Sequence, residues 1–337
     1  MSTIVRSLAP ASVDAGTAAT TPPPRPDTDT GPHHSPARSP LHEAILRTLL
    51  YYDIWEHPLT VSELALFLPL RLRERADLEA GIGEAMAAGT IAVAGEFCFP
   101  AHRPRTVVGE RVARERRARR YWHVARLVMH IIKRTPFVRA VMVSGELSKN
   151  VWSRGGDIDF FILTEPGRLW IARTLLVLFK KSVLLNRKKF FCLNYFATTA
   201  ALEEPDRNIY VATEVAHVKP LFNAVLYRRY LDHNRWTALF FPNFMPHALP
   251  APMVNDSPSR VQRIFEKAFS ILPLDRLDGW LLSVWREVWV RRYAHLSEEA
   301  RAKAFTTSDN VSRAYAGDFQ ERILAEYRRR LDRYGLS

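Results

Sequence analysis

Val143-Ser-Gly-Glu-Leu-Ser-Lys-Asn-Val-Trp-Ser-Arg-Gly-Gly-Asp157-Ile-Asp159-Phe-Phe-Ile-Leu163 reads as strand, glycine turn, polar loop and strand. The apolar run from Val138 supplies a buried strand that delivers Ser144 and Gly145 to a turn, which opens a short helix near Leu147. Gly155-Gly156 return the chain into a second strand, Ile158 to Thr164, whose start carries Asp157 and Asp159. Side chains two apart on a strand face the same way, so both carboxylates leave one face at one edge of the sheet. Two acids held so suit one or two Mg2+ ions, which take oxygen ligands and commonly share them with substrate phosphates. Gly145 lets the backbone approach a phosphate closely, and the following helix start offers free N–H groups to the anion.

Downstream, the sequence predicts a helix from Pro166 to Leu185, a strand from Lys189 to Ala197, and mostly helix after Tyr210. Ser257 to Tyr293 is apolar at helical spacing, and Asp318 to Leu331 is a closing amphipathic helix. Trp280, Trp285 and Trp289 share that spacing and read as core, and Cys192 reads as a small core residue. Upstream, Arg103 to Arg134 hold eleven Lys and Arg against two Glu, and predict one long basic helix ended by Pro136. Its charge serves equally as a solvated face or as a contact for nucleotide or nucleic acid.

Before it, Ala44, Leu46, Leu49 and Leu50 mark one helical face, and Thr60 with Glu63 form a capping box for a second helix. A third helix is expected over Arg73 to Ala88, and Ile91 to Phe99 reads as a hairpin around Gly95-Glu96. Helix, helix, helix, hairpin is the order of a winged helix. Residues 1–40 hold eight of the 22 prolines and are expected to be a disordered tail.

The chain has 337 residues, 47% hydrophobic and 25% charged, which suits a globular protein of more than one domain. The net charge of +13 raises polyanionic partners. Cys98 and Cys192 cannot build a disulfide framework or a four-ligand zinc site. No apolar run has the roughly 20 residues needed to cross a bilayer. The first residues lack a signal-peptide layout, so a cytoplasmic protein is expected.

Gly145-Glu146, ten intervening residues and Asp157-Ile-Asp159 resemble the signature of the DNA polymerase β-like nucleotidyltransferase superfamily. The surrounding residues, with Cys192-Leu-Asn-Tyr-Phe196 and Tyr210 to Val215, are similar to its longer bacterial and archaeal members, which carry an N-terminal winged-helix-like segment. The resemblance implies an α+β protein. A small mixed-sheet nucleotidyltransferase domain (137–235) would follow a winged-helix-like module (41–102) and a basic linker helix (103–136), with a helical region (236–337) closing the chain.

It also implies a Mg2+-dependent transfer of a nucleoside monophosphate from a nucleoside triphosphate, ATP above all, to a hydroxyl. Asp157 and Asp159 would be catalytic metal ligands. Ser144, Gly145, Ser148 and Lys149 would meet the phosphates, with Lys149 or Arg154 balancing their charge. The acceptor is left open among a small molecule, a protein side chain and RNA.

Two residues depart from the pattern. Glu146 stands where Ser or Gly is usual, and repels a triphosphate unless it turns away or meets a cation. The third acid's strand offers Asn194, a neutral ligand, while Glu214 is a substitute if its segment packs nearby. The plain alternative is a strand-capping turn with solvated acids. The functional alternative is a catalytically degenerate regulatory protein that senses a nucleotide or binds nucleic acid. For DNA, the third helix is unfavourable, because Glu74, Asp77, Glu79 and Glu84 outnumber Arg73 and Arg75.

Overall fold

In the computed structural model, residues 38–183, 189–245, 259–299, 301, 305–314 and 319–336 are described. The expected tail over 1–37, and the expected helix ends at 184–185, 257–258 and 318, lie outside them. The chain is a mixed α+β protein with two sheets, and no helix among the described residues is long and apolar enough to cross a membrane.

The N-terminal elements follow from local chemistry. Helix α1 (Pro40–Tyr52) starts where the Ser39 hydroxyl accepts from the His42 N–H at 3.2 Å, with proline in the first turn, where its missing donor costs nothing. Strand β1 (Leu59–Thr60) leads into α2 (Val61–Phe67). There the Thr60 hydroxyl accepts from the Glu63 N–H at 3.1 Å, and the Glu63 carboxylate accepts from the Thr60 N–H at 2.9 Å. Helix α3 (Arg75–Ala87) and the hairpin β2 (Ile91–Ala94) and β3 (Phe97–Pro100) follow. Strand β1 pairs antiparallel with β3 and completes a three-stranded sheet ordered β1-β3-β2.

Helix α4 (Thr106–Ile132) is the long basic helix, ending four residues before Pro136. The large sheet then begins with β4 (Val138–Ser144), the single turn α5 (Gly145–Ser148) and β5 (Asp159–Thr164). Helix α6 (Leu169–Ser182) links β5 to β6 (Cys192–Thr198), and α7 (Ile209–His217), β7 (Lys219–Phe222) and α8 (Ala224–His233) come next. Helices α9 (Arg260–Phe269) and α10 (Leu274–Arg292), separated at Pro273, precede β8 (Phe305–Thr307), β9 (Val311–Ala314) and α11 (Phe319–Arg333). The sheet order is β7-β4-β5-β6-β9-β8. Only β5 and β6 run parallel.

Strands β8 and β9 add strand to the region after residue 236, which the sequence predicts to be helical. Both are short and largely polar, without apolar alternation, and β9 is a strand because it pairs with the edge of β6. Trp280 is also corrected: Trp285 and Trp289 are buried, whereas Trp280 is 42% exposed.

Alternation along the strands gives the sheet two apolar faces. Ala140, Met142, Phe161, Leu163, Tyr195 and Ala197 face a core built from α1, α2, α3, α7, α8 and α11. Val141, Val143, Phe160, Ile162 and Phe196 face α4, α6 and α10. The N-terminal helices therefore share one continuous core with the large sheet.

Candidate metal centre

Antiparallel register sets Ser144, the last residue of β4, opposite Asp159, the first of β5. Gly145 follows with φ +66°, and a Cβ there would lie 2.3 Å from the Asp159 Oδ2. Glycine is required twice, by the left-handed backbone and by the carboxylate that occupies the side-chain space. Asp159 lies on the same strand face as Phe161 and Leu163, so it emerges at the end of β5 on the side covered by the N-terminal elements and α7. Asp157 sits just ahead of the strand.

Strand β6 brings a third group. Its first residue, Cys192, is the parallel partner of Asp159. One ligand atom from each of Asp157, Asp159 and Cys192 lies within 4.8 Å of the others. Cys192 thus belongs to the site rather than being a mere core filler. Asn194, the expected third ligand, falls at a shift in the β5–β6 register: Leu193 pairs with Phe160, Tyr195 with Phe161, and Asn194 is passed over. Tyr195 stacks on Phe161 with ring centroids 4.3 Å apart.

Charge is concentrated here. Burial, then the neighbouring Asp157, pushes the Asp159 carboxyl well above the ordinary carboxylate range. Burial also raises Asp157, with Glu146 adding to it, while Lys180 acts in the other direction. The Cys192 thiol is pushed up by burial, then by Asp159 and Asp157. Three groups that all resist ionisation together are a natural receptacle for a cation.

Glu146 meets donors and a cation. Its Oε2 accepts from the Ser153 N–H and hydroxyl, each at 2.8 Å, and its Oε1 lies 3.8 Å from the Arg114 guanidinium on α4. It ties the returning loop to α5. Lys149 is engaged as well, its Nζ 2.7 Å from Glu214 on α7 and 3.4 Å from the Gly145 carbonyl. Glu214 does pack near the site, where it adds to the raised pKa of Asp159, but it is paired with Lys149. The Ser148 hydroxyl is buried and donates to the Gly145 carbonyl at 2.8 Å, which closes the turn. Arg154 is exposed on the loop.

Helix α4 is the wall behind this loop. Trp152 N–H donates to the Arg114 carbonyl at 3.2 Å, and Arg117 Nε donates to the Trp152 carbonyl at 3.0 Å. Tyr121 stacks on Trp152 with centroids 3.6 Å apart. Arg111 has 0% exposure and is paired with Glu63 and Glu115, while its Nε donates to the Pro58 carbonyl at 3.3 Å. Part of the basic run is thus internal framework. Its solvent-facing arginines include Arg116, Arg119, Arg120 and Arg126.

Sequence reading misses Cys192 as a site residue because its role depends on which β6 residue falls opposite Asp159. The only signal in the chain is a cysteine at the start of the strand that follows the Asp pair. Compared with models of known protein families, with curated proteins and with solved structures, the chain matches none.

Proposed function

We propose that the chain is a divalent-cation-dependent nucleotidyltransferase, moving a nucleoside monophosphate from a nucleoside triphosphate to an acceptor hydroxyl. The observation that carries this reading is Asp157 and Asp159 gathered beside the positive-φ Gly145 at the end of the adjacent strand. The resemblance of Gly145 to Asp159 to the polymerase β-like signature supports it, as does a mixed sheet preceded by three helices and a hairpin in winged-helix order. The site residues fit a cation, since two half-buried acids held together without one repel each other and any phosphate.

A bound divalent cation supplies the positive charge that lets carboxylates and a triphosphate occupy one site. The chain's own part is positioning. Asp157 and Asp159 hold the metal side, and Gly145 keeps the approach to the turn clear of a side chain. Glu146 and the α4 contacts fix the loop that sets Asp157. In the transfer, the acceptor oxygen bonds to the α-phosphorus, the bond to the bridging oxygen breaks, pyrophosphate leaves, and the hydroxyl proton is released to solvent. The exposed arginines of α4 favour a polyanionic acceptor.

Incubation with α-labelled ATP and a divalent cation should label acceptor material in a lysate fraction, and Asp157→Ala with Asp159→Ala should abolish it. Label transfer unaffected by the double substitution would falsify the reading. A second reading, a nucleotide sensor that does not transfer, is favoured by the Lys149–Glu214 pair, which engages the lysine expected to meet the phosphates. It is recognised by saturable ATP binding with no label transfer. DNA binding through α3 is disfavoured, because Glu74, Asp77, Glu79 and Glu84 are all exposed.

A further inference from the structure

We infer that Cys192 is the third protein ligand of the metal centre, and that its sulfur makes this a centre for a thiophilic divalent cation such as Co2+ or Zn2+ rather than Mg2+. The inference rests on the metal-dependent reading of the site but not on the transfer chemistry or the acceptor.

Three observations carry it. The β5–β6 register sets Cys192 directly beside Asp159, and the shift in that register passes over Asn194, the oxygen donor. The ligand atoms of Asp157, Asp159 and Cys192 are already mutually within 4.8 Å. A zinc-like ion holds oxygen at about 2.1 Å and sulfur at about 2.3 Å, so small side-chain rotations bring all three onto one ion. Finally, no Lys, Arg or His among the described residues forms an ion pair with Asp157 or Asp159.

Donor chemistry then selects the ion. Mg2+ demands hard oxygen ligands in near-ideal octahedral geometry. A thiolate favours softer ions, and a coordinated thiol gives up its proton outright. Two carboxylates and a thiolate bring three negative charges to the two positive charges of the ion, with the Lys180 field at Asp157 and Cys192 offsetting the remainder.

The test is titration of the full-length, metal-free protein with Co2+, followed by absorbance. A near-ultraviolet thiolate-to-cobalt charge-transfer band should grow and saturate at one ion, and excess Mg2+ should not displace it. Cys192→Ser should remove the band and weaken Co2+ binding at least about tenfold, while Cys98→Ser should retain both. Cys192→Asp, an all-oxygen set whose folding is checked by its melting curve, should lose the band and let Mg2+ compete. Absence of Co2+ binding, binding without the band, a band that survives Cys192→Ser, or displacement by Mg2+ would overturn the assignment. A cobalt–thiolate band in a protein that transfers no label supports this inference and sinks the transferase reading. Mg2+-driven transfer without the band does the reverse.

Discussion

Gly145 tests how tightly the site is built. Alanine at this position meets the Asp159 Oδ2 at 2.3 Å and must hold φ +66°. The backbone term alone costs about 1–3 kcal/mol, and the contact forces Asp159 off its position. Gly145→Ala should therefore lower stability and lose divalent-cation binding together. Gly95 is the control, with φ +62° and nothing within 4 Å of the added Cβ. Gly95→Ala should cost only that same backbone term, about 1–3 kcal/mol, with cation binding intact. Denaturant titration and a Co2+ titration of each variant separate the two effects.

The acids make a second prediction at this scale. A carboxyl whose folded pKa is raised favours the folded state while protonated. Its contribution is complete below the unfolded value and lost as pH rises through the folded one. Asp157 and Asp159 are both raised, so in chelator the protein pays an electrostatic penalty that sets in above about pH 4. Asp157→Asn with Asp159→Asn should raise the melting temperature near neutral pH, with the gain vanishing below the ordinary carboxylate range. Saturating cation should stabilise the parent protein and not the double variant.

At the scale of elements, two buried arginines hold helices together. Arg111 anchors α4 to α2 through Glu63, and removing it strands two partly exposed glutamates and the Pro58 carbonyl. Arg111→Ala should cost on the order of 3 kcal/mol in urea denaturation, against no more than about 0.5 kcal/mol for the exposed Arg119→Ala. Arg330 anchors α11 to Asp53, a pair buried on both sides. Although burial pushes Asp53 up, His102, Arg103 and Arg330 hold its carboxyl below the ordinary range. The sign is opposite to that at Asp157 and Asp159. Its stabilisation is present above the unfolded value and lost as pH falls through the lowered folded one. The melting-temperature deficit of Asp53→Asn should be largest near neutral pH and shrink in acid.

Across the whole molecule, the N-terminal elements and the large sheet do not have separate cores. Ile45, Leu46 and Leu49 of α1 belong to the same apolar cluster as Met142, Phe161 and Tyr230, and Tyr51 packs edge-on against Tyr327 of α11 at 5.1 Å. Removing residues 1–102 uncovers the sheet face that holds Asp159. The truncated protein should lose its cooperative melt and bind a hydrophobic dye, and the intact protein should unfold in one calorimetric transition. A stable, cation-binding 103–337 fragment would contradict this.

What the sequence determined by itself is what short-range chemistry controls. Thr60 and Glu63 announced α2, Gly95 the hairpin turn, and Gly145 with Asp157 and Asp159 marked the turn and its acids. Each is governed by backbone geometry or by side chains a few residues apart. Strands β8 and β9, the pairing of Lys149 with Glu214, and the entry of Cys192 in place of Asn194 were decided only by tertiary structure. Their physical cause is register and edge pairing between segments far apart in the chain, where the β5–β6 register sets Cys192 opposite Asp159 and passes over Asn194.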